Sequence, residues 1–226
     1  MKVKRASKYV VKEERQSIQL LPKTEKQAEY IRALRTAGQV VVTGSAGTGK
    51  TFIASVHAAK MLREGAIDKI VLTRPNVSSG KSLGFFPGSL EEKIAPWVIP
   101  FTDVLRQCLG DGAYATAIAK RNIDIVPFEV MRGRTFNRSV IILDEAQNTT
   151  PSEMKMFLTR VGEESQVIIN GDIKQSDLKT DSGLRVILNM IRTQNLPIPS
   201  IEFTVDDIVR SDICAMWVKA FDKVGL

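Results

Sequence analysis

The sequence is poor in the residues that build disulfides and metal centres: its 226 residues include two cysteines and one histidine. Cys108 and Cys214 lie far apart, with no CxxC spacing or histidine cluster beside them. That excludes a disulfide framework and a zinc site, and it suits a reduced, cytoplasmic setting. No run approaches the ~18 consecutive apolar residues of a membrane span, so no membrane association is expected. The N-terminal stretch "MKVKRASKYVVKEER" is basic but lacks an apolar core of signal-peptide length, which argues against secretion. No internal repeat, low-complexity tract or "NKxD"-type guanine motif occurs. His57 stands inside an apolar helical run with no local Ser or Cys partner, so it reads as structural and nucleophilic triad chemistry finds little support.

What is present is enough apolar material, 43% of the chain, for one good core. The formal charge of +7 favours an anionic partner: nucleotide, nucleic acid or a membrane surface. Two segments are expected, a solvated basic arm over residues 1–19 and one domain over 20–226. Short Val- and Ile-rich runs at 39–43, 69–73, 140–144, 166–170 and 200–204 read as buried parallel strands. Between them lie helical patterns: one after Lys50 closed by Gly65, one over "TPSEMKMFLTRVG" with Thr150 as N-cap, Glu153 completing a capping box and Gly162 ending it. "SDICAMWVKAFDK" closes the chain as a helix capped by Ser211. Strands alternating with helices predict an α/β fold with a parallel, doubly wound sheet in three layers. The long insertion between 73 and 140 holds a Gly/Ser/Pro-rich loop, a helix around "PWVIPFTDVLRQCLG" and "NIDIVPFEVMRGRTF". Insertions of that size usually carry function.

"GSAGTGKT", Gly44, Ser45, Ala46, Gly47, Thr48, Gly49, Lys50 and Thr51, fits the phosphate-binding loop at every required position, after a strand and before a helix. Glycines let backbone N–H groups curl round a β-phosphate, and the helix N-terminus adds partial positive charge. Lys50 is placed to reach the β- and γ-phosphates of ATP, and the Thr51 hydroxyl to hold Mg2+. A second Gly-Lys-Ser run, "SSGKS" at 78–82, has Pro75 where the first glycine should be and no helix after it, so it reads as a loop. In "VIILDEAQN" a strand delivers Asp144, a second magnesium ligand, and Glu145, a candidate base for an attacking water. Alone, such a pair is an ordinary strand end; beside the loop it favours hydrolysis. In "NGDIKQSDL", Gln175 is a candidate contact to the γ-phosphate or the water, with Asp172 positioning it. In "TVDDIVRSD", Arg210 is either an arginine finger or a salt-bridge partner of Asp206 or Asp207. Gln27, early in an amphipathic helix, carries an amide that could read the adenine edge.

These blocks, in this order, resemble the phosphate-starvation-type PhoH proteins, P-loop ATPases similar to the first RecA-like lobe of superfamily 1 helicases. The matching stretches run from "PKTEKQAEYIRAL" to "DDIVR", residues 20 to 210, and "MRGRTF", "LDEAQN" and "LTRVG" are the specific ones. Three positions depart from the family pattern: Ser45 replaces the usual Pro, Lys81–Ser82 stand where an acidic residue and Lys are usual, and Ser211 replaces the usual His. The resemblance implies a RecA-like fold, ATP and Mg2+ as cofactors, and a ring-shaped oligomer with a hexamer favoured. One Walker set supplies one wall of a helicase-type site, so a second wall is expected from another subunit, with Arg210 acting in trans.

The reading that follows is an ATPase coupled to single-stranded nucleic acid, RNA rather than DNA. Helicase-like motif order, the basic charge and loop residues Arg74, Lys81, Arg132 and Arg134 support it. The alternative is an ATP-dependent switch or assembly factor acting on a protein, with "LGFFPG" as an apolar contact. A small-molecule kinase fits less well, because the Asp144–Glu145 pair suits an activated water.

Overall fold

Six short runs rich in β-branched residues pair into one sheet in the computed structural model, which describes residues 18–75, 90–176, 178 and 181–224. They are β1 (Gln39–Thr43), β2 (Lys69–Thr73), β3 (Ile123–Ile125), β4 (Ser139–Leu143), β5 (Gln166–Gly171) and β6 (Ser200–Glu202). Their spatial order is β3-β2-β4-β5-β1-β6, and every pairing is parallel. Parallel strands need crossovers, which here include α2 (Lys50–Arg63), α3 (Leu90–Leu109), α4 (Asp111–Ala119), α5 (Pro151–Leu158) and α6 (Gly183–Thr193), while α1 (Glu25–Thr36) precedes β1 and α7 (Asp212–Lys223) follows β6.

The period of two along each strand divides the core into two layers. Val40, Val42, Ile70, Leu72, Val140, Ile142 and Ile168 point to the side covered by α1 to α4, where Tyr30, Ile53, Ala58, Phe101 and Leu105 meet them. Val41, Val71, Ile141, Leu143, Val167 and Ile169 point to the other side, where Met154 and Phe157 of α5 and Leu184 and Ile187 of α6 pack. Helices therefore cover both faces of a parallel sheet, the doubly wound α/β arrangement expected from the alternation of patterns. β5 lies between β1 and β4, so the phosphate-loop strand and the strand leading to Asp144 are one strand apart.

Several boundaries differ from expectation. β3 was not anticipated as a strand: it is three residues long, sits at the sheet edge and carries Asp124 in its middle, so it lacks a continuous apolar run. α5 stops at Leu158 with Thr159 as C-cap, and Gly162 instead donates its N–H to the Phe136 carbonyl at 2.8 Å, tying the loop after α5 to the approach to β4. The capping box at Thr150 and Glu153 is present as expected, and the N–H of Cys214 points to Ser211 Oγ at 3.5 Å. The arm over residues 1–17, the "SSGKS" run with Lys81, and the "LGFFPG" loop lie outside the described residues.

His57 is buried, and its Nε2–H meets Gln166 Oε1 at 2.7 Å; burial lowers its pKa, so the neutral ring expected of a structural histidine is favoured. Gln166 also donates to the Leu34 and Ala37 carbonyls at 2.8 and 2.7 Å, closing the C-terminal end of α1 onto β5 and α2. Gln166→Ala strips all three groups of their partner at once. It is expected to cost about 2–3 kcal/mol, read as a lower urea midpoint with an unchanged slope; an unaltered midpoint would refute the role.

Candidate active site

Parallel pairing brings the C-terminal strand ends into one row. Thr43 of β1 is in register with Gly171 of β5, and Thr73 of β2 with Leu143 of β4. The residues that follow them, Gly44, Asp172, Arg74 and Asp144, accordingly line one edge, the edge where open α/β sheets bind ligands. A pocket of about 380 Å³ opens there, bordered by the phosphate loop, Arg74, Asp144, Glu145, Asp172 and Gln175, with Arg210 on its rim. A larger groove of about 840 Å³ lies at the opposite edge, beside His57, Gln166 and residues 18–21. It lacks the glycine-rich backbone and the converging carboxylates, so the smaller pocket is the chemical one.

The loop over residues 44–51 is held by partners from three elements. Gly47 and Gly49 have φ values of 89° and 92°, the left-handed region that glycine adopts without strain. A Cβ on Gly49 would come within 2.9 Å of Gln27 Nε2, and one on Gly47 within 3.1 Å of the Arg210 side chain. Gln27 donates to the Thr48 carbonyl at 2.9 Å and accepts the Lys23 N–H at 2.8 Å. Its amide, expected to read adenine, thus braces the phosphate loop from beneath. Val209 donates to the Gly47 carbonyl at 3.0 Å, and Thr48 Oγ1 to the Ser45 carbonyl at 3.1 Å. The Ser45 hydroxyl, where the family pattern has proline, is buried without a hydrogen-bond partner.

Lys50 begins α2 and turns back over the loop, donating to the carbonyls of Gly44 and Ser45. Burial lowers its pKa, while Asp172, Asp144 and Glu145 hold it up. Asp144 has the opposite problem. Burial first, and the Glu145 charge second, raise its carboxyl to about 6, with Arg74 and Lys50 only partly offsetting them. Such a cluster of hard oxygens with excess negative charge suits a magnesium ion, and the donors at hand are the Asp144 carboxylate and the Thr51 hydroxyl in the same pocket. The residues present fit that ion.

Glu145 sits in a left-handed backbone conformation, φ 53° and ψ 39°, uncommon for a residue with a side chain. Strain of this kind, of order 1 kcal/mol, persists where surrounding contacts impose it. Here they are explicit: Gln147 Nε2 donates to Glu145 Oε2 at 2.6 Å, and Arg74 lies 3.5 Å from Glu145 Oε1. Gln147 is 1% exposed, and its Oε1 accepts the Asp172 N–H at 2.9 Å, so it joins the ends of β4 and β5. The residue-by-residue reading missed Gln147. The available signal was three successive polar residues, Gln147, Asn148 and Thr149, shortly after the Asp144–Glu145 strand end, and all three are buried.

The arginines sort differently from expectation. Arg74, expected on nucleic acid, lies in the pocket against Glu145. Arg134 is bound to Asp124 Oδ2 at 2.6 Å and lies 4.9 Å over the Phe136 ring, so it secures the β3 edge. Arg132 is exposed and stands apart from the pocket. Arg210 packs over Gly47 of its own chain; its reach follows from β6 pairing with β1, which carries residues 203–210 across the phosphate loop. Gln175 is exposed on the pocket wall.

A folded state that holds the Asp144 proton more tightly than the unfolded chain loses stability as the pH rises through the window from about 4 to about 6. Asp144→Asn removes that ionisation. Without nucleotide or metal, the variant is expected to be more stable than wild type near neutrality by about 2 kcal/mol and indistinguishable from it below about pH 4. Paired thermal melts across pH decide it: a variant no more stable at neutral pH would refute the burial of charge.

A family model described as PhoH-like protein matches residues 19–222. A PhoH-like protein of Bacillus subtilis (strain 168) is 45% identical over 203 residues, covering 89% of this chain and 63% of that protein. Protein PhoH of Escherichia coli (strain K12) is 39% identical over 216 residues, covering 94% and 61%, and a PhoH-like protein of Synechocystis is 37% identical over 206 residues, covering 89% and 62%. Among solved structures, the Pif1 helicase from Candida albicans aligns with a TM-score of 0.41 and 15% identity, over 81% of this chain and 40% of that one, too distant to carry an argument. The chain spans about three fifths of the length of these curated relatives. With the match running from the helix that bears Gln27, through the pocket, into α7, the chain belongs to the family of PhoH-like proteins.

Proposed function

We propose that the protein hydrolyses ATP and couples that turnover to single-stranded nucleic acid, RNA in preference to DNA, as a ring-forming oligomer. The observation that carries the ATPase reading is the meeting, at one sheet edge, of Lys50 and the glycine-rich backbone with the Asp144–Glu145 pair. Lys50 exchanges its bonds to the Gly44 and Ser45 carbonyls for charge-assisted bonds to phosphate oxygens. Thr51 and Asp144 would hold a magnesium ion, which would supply positive charge against the phosphates. Glu145 takes the proton of the attacking water, its carboxylate fixed by Gln147 and Arg74. Gln175 and Arg210 face the same pocket and suit the γ-phosphate end. Helicase-like motif order and the +7 charge favour an anionic polymer as effector.

A protein partner is the second reading. It is favoured by the exposed apolar face of α7, where Ile213 is 69% and Trp217 56% exposed.

Lys50→Ala is expected to abolish binding of a fluorescent ATP analogue. Glu145→Gln should keep binding and lower turnover by about 100-fold or more, the usual worth of a general base; an active Glu145→Gln protein would overturn the base assignment. ATPase assays with single-stranded RNA, single-stranded DNA and no effector test the coupling. Stimulation that weakens steeply with salt is expected, and a flat response to every nucleic acid would sink that half of the proposal.

A further inference from the structure

α5 turns one side to the core through Met154 and Phe157 and the other outward. On the outward side Ser152, Lys155, Met156 and Thr159 recur at helical spacing and, with Arg132 and Arg160, line an open groove of about 370 Å³. The groove holds three cations and two hydroxyls over a thioether floor, and none of its lining residues is a carboxylate. Among the described residues no carboxylate lies within ion-pairing distance of Arg132, Lys155 or Arg160. By contrast, Arg134 is paired with Asp124, Arg138 with Asp68 and Glu164, and Lys219 with Asp206.

Two further observations separate this groove from an ordinary solvated helix face. Arg160 Nε is buried yet has no hydrogen-bond partner, while its Nη2 donates to Thr159 Oγ1 at 3.1 Å. A buried guanidinium donor left unsatisfied is costly, and an acceptor oxygen in the groove would remove the cost. The groove's walls are also fixed: Phe128 stacks on Phe157 at 6.0 Å, Met131 beside Arg132 is fully buried, and the Arg160 carbonyl accepts the Phe136 N–H at 3.0 Å. Apolar packing thus sets the spacing of cations on two separate elements.

We propose that this groove is a phosphate track for single-stranded nucleic acid, in which Arg132, Lys155 and Arg160 contact successive backbone phosphates and Ser152 and Thr159 donate hydroxyl hydrogen bonds to them. It rests on the nucleic-acid half of the functional reading above. Charge of one sign together with hydroxyl donors matches a phosphodiester chain, and an open groove admits a polymer where an enclosed pocket would select a small ion. The track is joined to the ATP site through the chain itself: α5 starts at its Thr150 cap, directly after the buried turn in which Gln147 holds Glu145.

The test is fluorescence anisotropy of the full chain with a labelled single-stranded oligouridylate across a salt series. Each phosphate contact on a single strand contributes about 0.7 to the slope of log K against log salt. Arg132→Gln/Lys155→Gln is therefore expected to flatten the slope by about 1.4, and addition of Arg160→Gln by about 2 in all. The double variant changes only exposed side chains, so it keeps the test valid should the triple variant misfold. Binding of a fluorescent ATP analogue should not change. A matched removal of two exposed cations elsewhere, Lys120→Gln/Arg192→Gln, should leave the slope near that of wild type. A slope equal to wild type in Arg132→Gln/Lys155→Gln, or an equal fall in the control pair, would overturn the track and leave the ATPase reading standing. Absence of any binding by the wild-type chain would overturn the track together with the nucleic-acid half of the function.

Discussion

Parallel pairing of β1, β5 and β4 is the constraint on which the rest of the molecule depends. In a parallel sheet all strands end at the same edge, so three separate sequence blocks deliver Gly44, Asp172 and Asp144 to one row. The same geometry starts α2 at that edge, where its unpaired N–H groups and partial positive charge face the row. The cost is a concentration of carboxylates in a partly desolvated place. The raised pKa of Asp144 reflects its burial first and the Glu145 charge second, with Arg74 and Lys50 offsetting only part of both.

Three glutamines perform the joining that charged residues could not. Gln27 links α1 to the phosphate loop, Gln147 links the end of β4 to that of β5, and Gln166 links β5 to α1 and α2. In each case the amide uses its acceptor and its donor on different elements. A carboxylate could only accept, a lysine could only donate, and either would carry a charge into the interior. The uncharged amide gives a directional tie at low desolvation cost. For Gln27 this means that its amide shapes the loop that cradles phosphates. For Gln147 it means that the strained backbone of Glu145 is imposed by a contact from outside the strand.

Arginine roles separate by what lies beside them. Arg74 and Arg134 end near carboxylates placed by β4 and β3, and so become part of the pocket and of the sheet edge. Arg132 is two positions from Arg134 yet emerges beside the outward face of α5, next to Lys155 and Arg160. Two residues of backbone turn are enough to send one guanidinium inward to a partner and the other outward to an open groove. The exposed apolar side of α7 is a separate feature, on the far side of the Arg210 segment.

The strands of the core, the phosphate loop, the Asp144–Glu145 pair and the capping box at Thr150 were all readable in the sequence, because each rests on local chemistry: apolar runs, glycine spacing, and side chains that bond within three residues of themselves. Gly162 as a helix end and the three residues of β3 were misjudged, since a short strand at an edge and a glycine needed for close approach leave no periodic trace. The side-chain partners belong to tertiary structure alone. That Gln27 braces a loop carbonyl, that Arg210 lies over Gly47, and which arginine stands beside a carboxylate were decided by elements far apart in sequence. A hydrogen bond or ion pair depends on where two backbones converge, and no single stretch of residues encodes both ends of it.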